Sequence, residues 1–199
     1  MIVPLLGLAL IAGCDRQKPA APQGADVDAA AAGSSAGAEA TPSPLEKDTL
    51  GRVDITHRGQ SAPAVPFEGP DGGPATLATW RGKPLIVNLW ATWCAPCLAE
   101  MPALDRLAQR EAARLTLVTV SQDMAGKRAV GPYFEKNRFE ALTANLDKTG
   151  ELLRAVKSDS LPLTIFYDAK GREQWRVTGS TDWEGAKAAK LIETSLAGA

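Results

Sequence analysis

Leu85-Ile-Val-Asn-Leu-Trp-Ala-Thr-Trp-Cys-Ala-Pro-Cys97 is the stretch on which the reading of this sequence turns. Its first six residues, Leu85 to Trp90, are a short apolar run rich in strand formers, consistent with a buried β-strand. From Ala95 the spacing becomes helical, with Leu98, Met101, Leu104, Leu107 and Ala108 on one face. Cys94 and Cys97 stand at the junction. A helix opening here puts both on the same side of its first turn, near enough to form a disulfide. Cys94 falls where unpaired backbone N–H groups and the positive end of the helix dipole favour an anion, and so its thiolate. Pro96 lies in the first turn, where a missing N–H costs nothing. Passive packing of the two thiols, or half of a zinc site, are the other readings. A zinc site takes more ligands, and the remaining soft donors are Cys14 and His57, both far back in the sequence. Dithiol–disulfide redox chemistry is the stronger reading, with no metal and no separate cofactor.

C-terminal to this stretch, the helical pattern extends over 95–114 with Pro102 inside it. That proline leaves the carbonyl of Leu98 without its helical partner, which predicts a kink rather than a stop. Leu115–Val120 reads as a second strand. Residues 125–138 look helical on Val130, Tyr133, Phe134 and Asn137, with Gly131-Pro132 either breaking or starting that helix. Ala141–Leu146 reads as a short strand and 149–157 as a short helix. Leu163–Tyr167 and Glu173–Thr178 flank Asp168-Ala-Lys-Gly171, a hairpin with Gly available for positive φ. A last helix starts near Trp183, with Thr181 and Glu184 as a candidate capping box. This order predicts an α/β domain: a central mixed β-sheet with helices on both faces.

The N-terminal third is different. The first aromatic residue is Phe67, and from Asp15 to Pro44, 20 of 30 residues are Ala, Gly, Pro or Ser. Such a stretch buries too little apolar surface to offset the entropy of ordering, and reads as a flexible linker. The folded domain is expected over 61–199, with 14–60 as linker. Residues 1–13 carry no charged side chain and form an apolar block of signal-peptide size around Leu5, Leu6, Leu8, Leu10 and Ile11. The chain of 199 residues has a formal net charge of -1, which argues against a nucleic-acid footprint. Three cysteines exclude a disulfide-stapled mini-protein, and a single histidine disfavours a His-rich metal site or a Ser-His-Asp triad.

Two resemblances sharpen this. Ile11-Ala-Gly-Cys14 resembles the lipobox of bacterial lipoproteins, in which cleavage falls before the Cys and its thiol is lipidated; this implies a membrane anchor at Cys14. Asp15 resembles an inner-membrane retention signal. Trp90-Ala-Thr-Trp-Cys-Ala-Pro-Cys97 resembles the active site of thioredoxin-like proteins. With Leu77-Ala-Thr-Trp-Arg-Gly-Lys-Pro84, Glu100-Met-Pro-Ala-Leu104, Leu161-Pro-Leu-Thr164 and Asp182-Trp183, the chain is similar to the TlpA/ResA branch over about residues 63–198. That branch consists of membrane-tethered thiol-disulfide interchange proteins on the outer side of the cytoplasmic membrane.

The resemblance implies a thioredoxin-like fold, a cis peptide bond before Pro162 beside the disulfide, and client binding along Trp93, Ala95, Pro96, Leu161 and Pro162. It makes Glu100, three residues after Cys97, a proton acceptor for that thiol. The bland alternative is a solvated Glu near a helix start. Thioredoxins proper carry a buried acid where this chain has Asn88. The Ala95-Pro96 spacer lacks the His usual in strong oxidants and isomerases, which points to a reductant. The implied partners are disulfide-containing clients of cytochrome c or cytochrome oxidase assembly and an upstream membrane dithiol reductant, with the protein a monomer on the periplasmic side of the cell envelope. A copper-binding assembly factor on the same fold, or a disulfide oxidant or isomerase, are the alternatives. His57 reads as solvated, Trp90 as core.

Overall fold

The computed structural model describes residues 46–198. The candidate signal peptide, Cys14 and the linker up to residue 45 lie outside the described residues. In chain order the elements are β1 (Arg52–Asp54), β2 (Phe67–Glu68), β3 (Pro74–Ala75), a 3-10 turn (Leu77–Trp80), β4 (Leu85–Trp90), α1 (Ala95–Arg110), β5 (Thr116–Ser121), α2 (Lys127–Asn137), β6 (Asn145–Leu146), α3 (Glu151–Ala155), β7 (Leu163–Tyr167), β8 (Glu173–Thr178) and α4 (Ala186–Leu196). The strands form one eight-stranded sheet in the order β1-β8-β7-β4-β5-β6-β2-β3.

At its centre β4 runs parallel to β5 and antiparallel to β7. The parallel pair needs a crossover, which α1 supplies. All six residues of β4 are buried, as a strand covered on both faces requires. Successive side chains point to opposite faces. Ile86 and Trp90 join a core with Met101, Leu104 and Leu107 of α1, Val130 of α2 and Ile192 of α4. Leu85, Val87 and Leu89 join a second core with Leu77 and with Leu152 of α3. The expected mixed sheet with helices on both faces is therefore what forms. Met101, Leu104 and Leu107 are fully buried, and each contributes on the order of 1.5–3 kcal/mol by leaving water.

Pro102 does not stop α1. The Leu98 carbonyl it leaves free accepts a hydrogen bond from the Tyr133 hydroxyl at 3.2 Å. Tyr133 belongs to an aromatic group with Trp90, Phe134 and Phe139 that fastens α2 to the centre of the sheet. α2 likewise runs through Gly131-Pro132. The β7–β8 hairpin forms as anticipated, with Gly171 at φ 76° and the Asp168 carboxylate accepting from the backbone of Lys170 and Arg172.

Three expectations are corrected. The fold does not begin at Ser61: β1 pairs with β8, Arg52 opposite Thr178 and Asp54 opposite Arg176, and Leu50 packs on the core. This edge is held by backbone pairing, which leaves little trace in side-chain pattern. The strand expected over 141–146 shrinks to Asn145–Leu146, because the Asp105 carboxylate takes the backbone N–H groups of Glu140, Ala141 and Leu142. Finally, α4 starts at Ala186 with Gly185 as its N-cap, and Thr181 serves another purpose, described next.

Candidate active site

The C-terminal end of β4 delivers the chain into a tight turn. The Cys94 N–H bonds to the Ala91 carbonyl at 3.2 Å, and Cys94 then caps α1. Its Sγ accepts a hydrogen bond from the Cys97 N–H at 3.3 Å. Cys94 and Cys97 form a disulfide, with S–S 2.02 Å. Of the two sulfurs, Cys94 belongs to the more exposed residue, 6% against 1% for Cys97. An incoming thiolate therefore meets Cys94 first. When the bridge opens, a thiolate at Cys94 faces the Cys97 N–H and the dipole of a 16-residue helix.

The turn is held from β5. The buried Asp123 carboxylate accepts from the Thr92 N–H at 2.9 Å, the Thr92 hydroxyl at 2.6 Å and the Ser121 hydroxyl at 2.7 Å. The one trace of this clamp in the sequence is Ser121-Gln-Asp123, polar residues at the end of an apolar strand. The clamp presents Trp93 outward, 69% exposed, beside Cys94. Ala95 and Pro96 are exposed in the first turn of α1. Trp90 is core, as expected, and His57 is half-buried rather than fully solvated.

The Leu161–Pro162 peptide bond is cis. Leu163 pairs with Leu89, so Pro162 lies level with Trp90, at the end of the sheet that carries the cysteines. Leu161 is half-buried against both cores. The Pro162 carbonyl accepts from the Gly179 N–H at 3.0 Å.

Glu100 is not a solvated surface residue. It is 1% exposed, on the same face of α1 as Cys97. One carboxylate oxygen accepts from the Thr181 N–H at 2.6 Å, the other from the Trp183 indole N–H at 3.3 Å. Burial raises its pKa from 4.5 to about 8, against the pull of those two hydrogen bonds. A carboxyl in that range is close to the ordinary thiol value of about 8.5, so a proton can pass between it and a thiol with little free-energy difference. The roles of Thr181 and Trp183 had no local signature. Asn88 is buried, its amide donating to the Thr164 hydroxyl at 3.0 Å, and it has no proton to exchange. Among the described residues no group of three or more His, Cys, Asp or Glu is placed to hold a metal ion.

The Redoxin family profile matches residues 57–192. By sequence, the thioredoxin-like protein YneN of Bacillus subtilis is 32% identical over 120 residues, 57% of this chain and 66% of the relative. The thiol:disulfide interchange protein DsbE of Pseudomonas fluorescens biotype C is 30% identical over 118 residues, 58% of this chain and 64% of the relative. The thiol-disulfide oxidoreductase ResA of Geobacillus thermodenitrificans is 28% identical over 132 residues, 65% of this chain and 74% of the relative. The chain thus spans just under two thirds of the length of the first two. Among solved structures, a thiol:disulfide interchange protein of the DsbE type from Chlorobium tepidum aligns with TM-score 0.63 at 21% identity, covering 70% of this chain and 97% of that one. The fold is therefore thioredoxin-like, and the chain, matched over well more than half its length, belongs to the Redoxin family.

Proposed function

We propose that this chain is an extracytoplasmic thiol-disulfide oxidoreductase that reduces disulfides in client proteins. The observation that carries the reading is the Cys94–Cys97 bridge at the head of α1, with Cys94 the more exposed of the two residues. The names of ResA and DsbE relatives support the same chemistry.

In the reduced chain the Cys94 thiolate attacks one sulfur of a client disulfide. The client S–S bond breaks, a mixed disulfide forms, and one client thiolate leaves. Cys97 then attacks the Cys94 sulfur and expels the second client thiolate. Two electrons pass to the client, and the chain is left as the disulfide. Glu100 in its ionised form takes the Cys97 proton as that thiol becomes the nucleophile; with a pKa of about 8 that form is the minor one at neutral pH and grows as pH rises. Client contact is assigned to Trp93, Ala95, Pro96, Leu161 and Pro162, with the backbone at Leu161 as the edge for an extended client segment. An upstream dithiol must restore the thiols, because the cell envelope is oxidising.

The Ala95-Pro96 spacer favours the reducing direction. The apolar block before Cys14 supports export and a lipid anchor, and the likeness to the TlpA/ResA branch supports clients of cytochrome c or cytochrome oxidase assembly. In the full chain, Cys97→Ser should accumulate a mixed disulfide through Cys94 with an oxidised protein substrate. Undiminished disulfide reduction by Cys94→Ser would sink the reading. A reduction potential near that of thioredoxin, about -270 mV, supports a reductant, and one near about -120 mV an oxidant.

A further inference from the structure

Residues 48–51 lie outside the stretch matched by the family profile, yet they are bonded to the loop that closes over Glu100. The Gly51 N–H donates to the Thr181 hydroxyl at 3.1 Å. The Asp48 N–H donates to the Asp182 carboxylate at 2.9 Å, and the Asp182 N–H donates to the Thr49 carbonyl at 2.8 Å. The Asp48 carboxylate accepts from the Lys187 N–H at 2.9 Å, at the start of α4. Contact at Gly51 is so close that a Cβ there would sit 2.6 Å from the carbonyl oxygens of both Thr178 and Gly179. The same short loop, 179–183, bonds Glu100 through Thr181 and Trp183 and the Pro162 carbonyl through Gly179. Thr181 is fully buried between the two.

We propose that Asp48–Gly51 is a positioning element of the active site: it clamps the 179–183 loop onto Glu100 and keeps that carboxyl dry, one helical turn from Cys97. The proposal rests on the reading that Glu100 exchanges a proton with Cys97.

The direction of the effect follows from the competing causes at Glu100. Burial, which raises its pKa, outweighs the Thr181 and Trp183 hydrogen bonds, which lower it. Loosening the loop admits water and weakens both, and the larger influence decides, so the carboxyl should titrate lower. Cys97 stands on its own helix and Asp182 on the loop, with Asp48 and Lys187 bonded behind that loop. None of these charges is among the causes of its shift.

The test is an NMR titration of the Glu100 side-chain carboxyl carbon in the full, oxidised chain. Thr181→Val removes the acceptor for the Gly51 N–H but leaves the Thr181 N–H on Glu100. It should lower the midpoint by at least about one unit, a tenfold change in proton binding. Thr181→Ser, which keeps the hydroxyl, should titrate as wild type, and Gly51→Ala should shift it as Thr181→Val does. If Gly51→Ala fails to fold, the Thr181 pair carries the test. Equal midpoints in wild type and folded Thr181→Val, or a Thr181→Ser shift as large as that of Thr181→Val, overturn the proposal. The titration needs no client. Failure of the proposed activity is read separately, by trapping at Cys94.

Discussion

Replacing Glu100 by glutamine should stabilise the protein at neutral pH and slightly destabilise it in acid. Burial holds the folded carboxyl at a pKa of about 8, raised from 4.5 against two hydrogen bonds. Between those values the folded chain keeps a proton that the unfolded chain has released. The group's contribution is therefore fully present below the unfolded pKa and is lost as pH rises toward the folded one. Each unit of pH in that window removes about 1.4 kcal/mol. From the unfolded value to neutrality the loss is about 3 kcal/mol. Glutamine has no proton to lose. Its carbonyl can still accept from Thr181, but its NH2 then faces the Trp183 indole N–H, and that lost hydrogen bond costs about 1 kcal/mol. The variant should thus be about 1 kcal/mol less stable near pH 4 and about 2 kcal/mol more stable near pH 7, the two curves crossing a little above about pH 5. Urea unfolding of both oxidised chains across that range, with m-values compared, measures this. A stability difference that stays constant from acid to neutral pH would show that Glu100 titrates as an exposed carboxyl, and the burial argument would fail.

Two further outcomes follow from buried carboxylates. Asp123→Ala strips the acceptor from Thr92 and Ser121; it should cost about 2–4 kcal/mol in urea unfolding and slow the reaction of Cys94 with protein disulfides, and an unchanged rate would show that the turn holds itself. At Asp105, burial raises the pKa, but the hydrogen bonds from Ala141, Leu142, Glu140 and Gln109 together outweigh it and leave the group below its ordinary 3.8. Its contribution is therefore present above that value and lost as pH falls through the folded pKa. Asp105→Ala should cost about 2–3 kcal/mol at neutral pH and less in strong acid, and a gap that widens in acid would contradict the assignment.

The centre of the molecule was readable because local signals agreed there. The apolar run 85–90, the thiols at a helix start and the turn at Gly171 each fix structure within a few residues. The freed Leu98 carbonyl was foreseeable from Pro102, but its partner, Tyr133, was not, since it arrives from another helix. The edges were opaque for a related reason: β1 and β2 are two or three residues long, and pairing with β8 and β6, far along the chain, is what makes them strands. In the site, the cysteines announce themselves, whereas a glutamate near a helix start reads as solvated. Only Thr181 and Trp183, some eighty residues on, make Glu100 a buried acid. Thr181 read as a helix cap because its hydroxyl suits that task, and the fold spends it on Gly51 instead.

The redox bridge joins residues only three apart in sequence. Closing so small a ring withholds little freedom from the unfolded chain: about 2 kcal/mol by the loop-entropy relation, against about 4.7 kcal/mol for a ring of 100 residues. Opening it therefore gives the denatured ensemble only a modest advantage, set against two hydrophobic cores and a sheet paired over long range. Under the proposed activity, the domain makes and breaks a covalent bond in each cycle without that bond becoming the thing that keeps it folded.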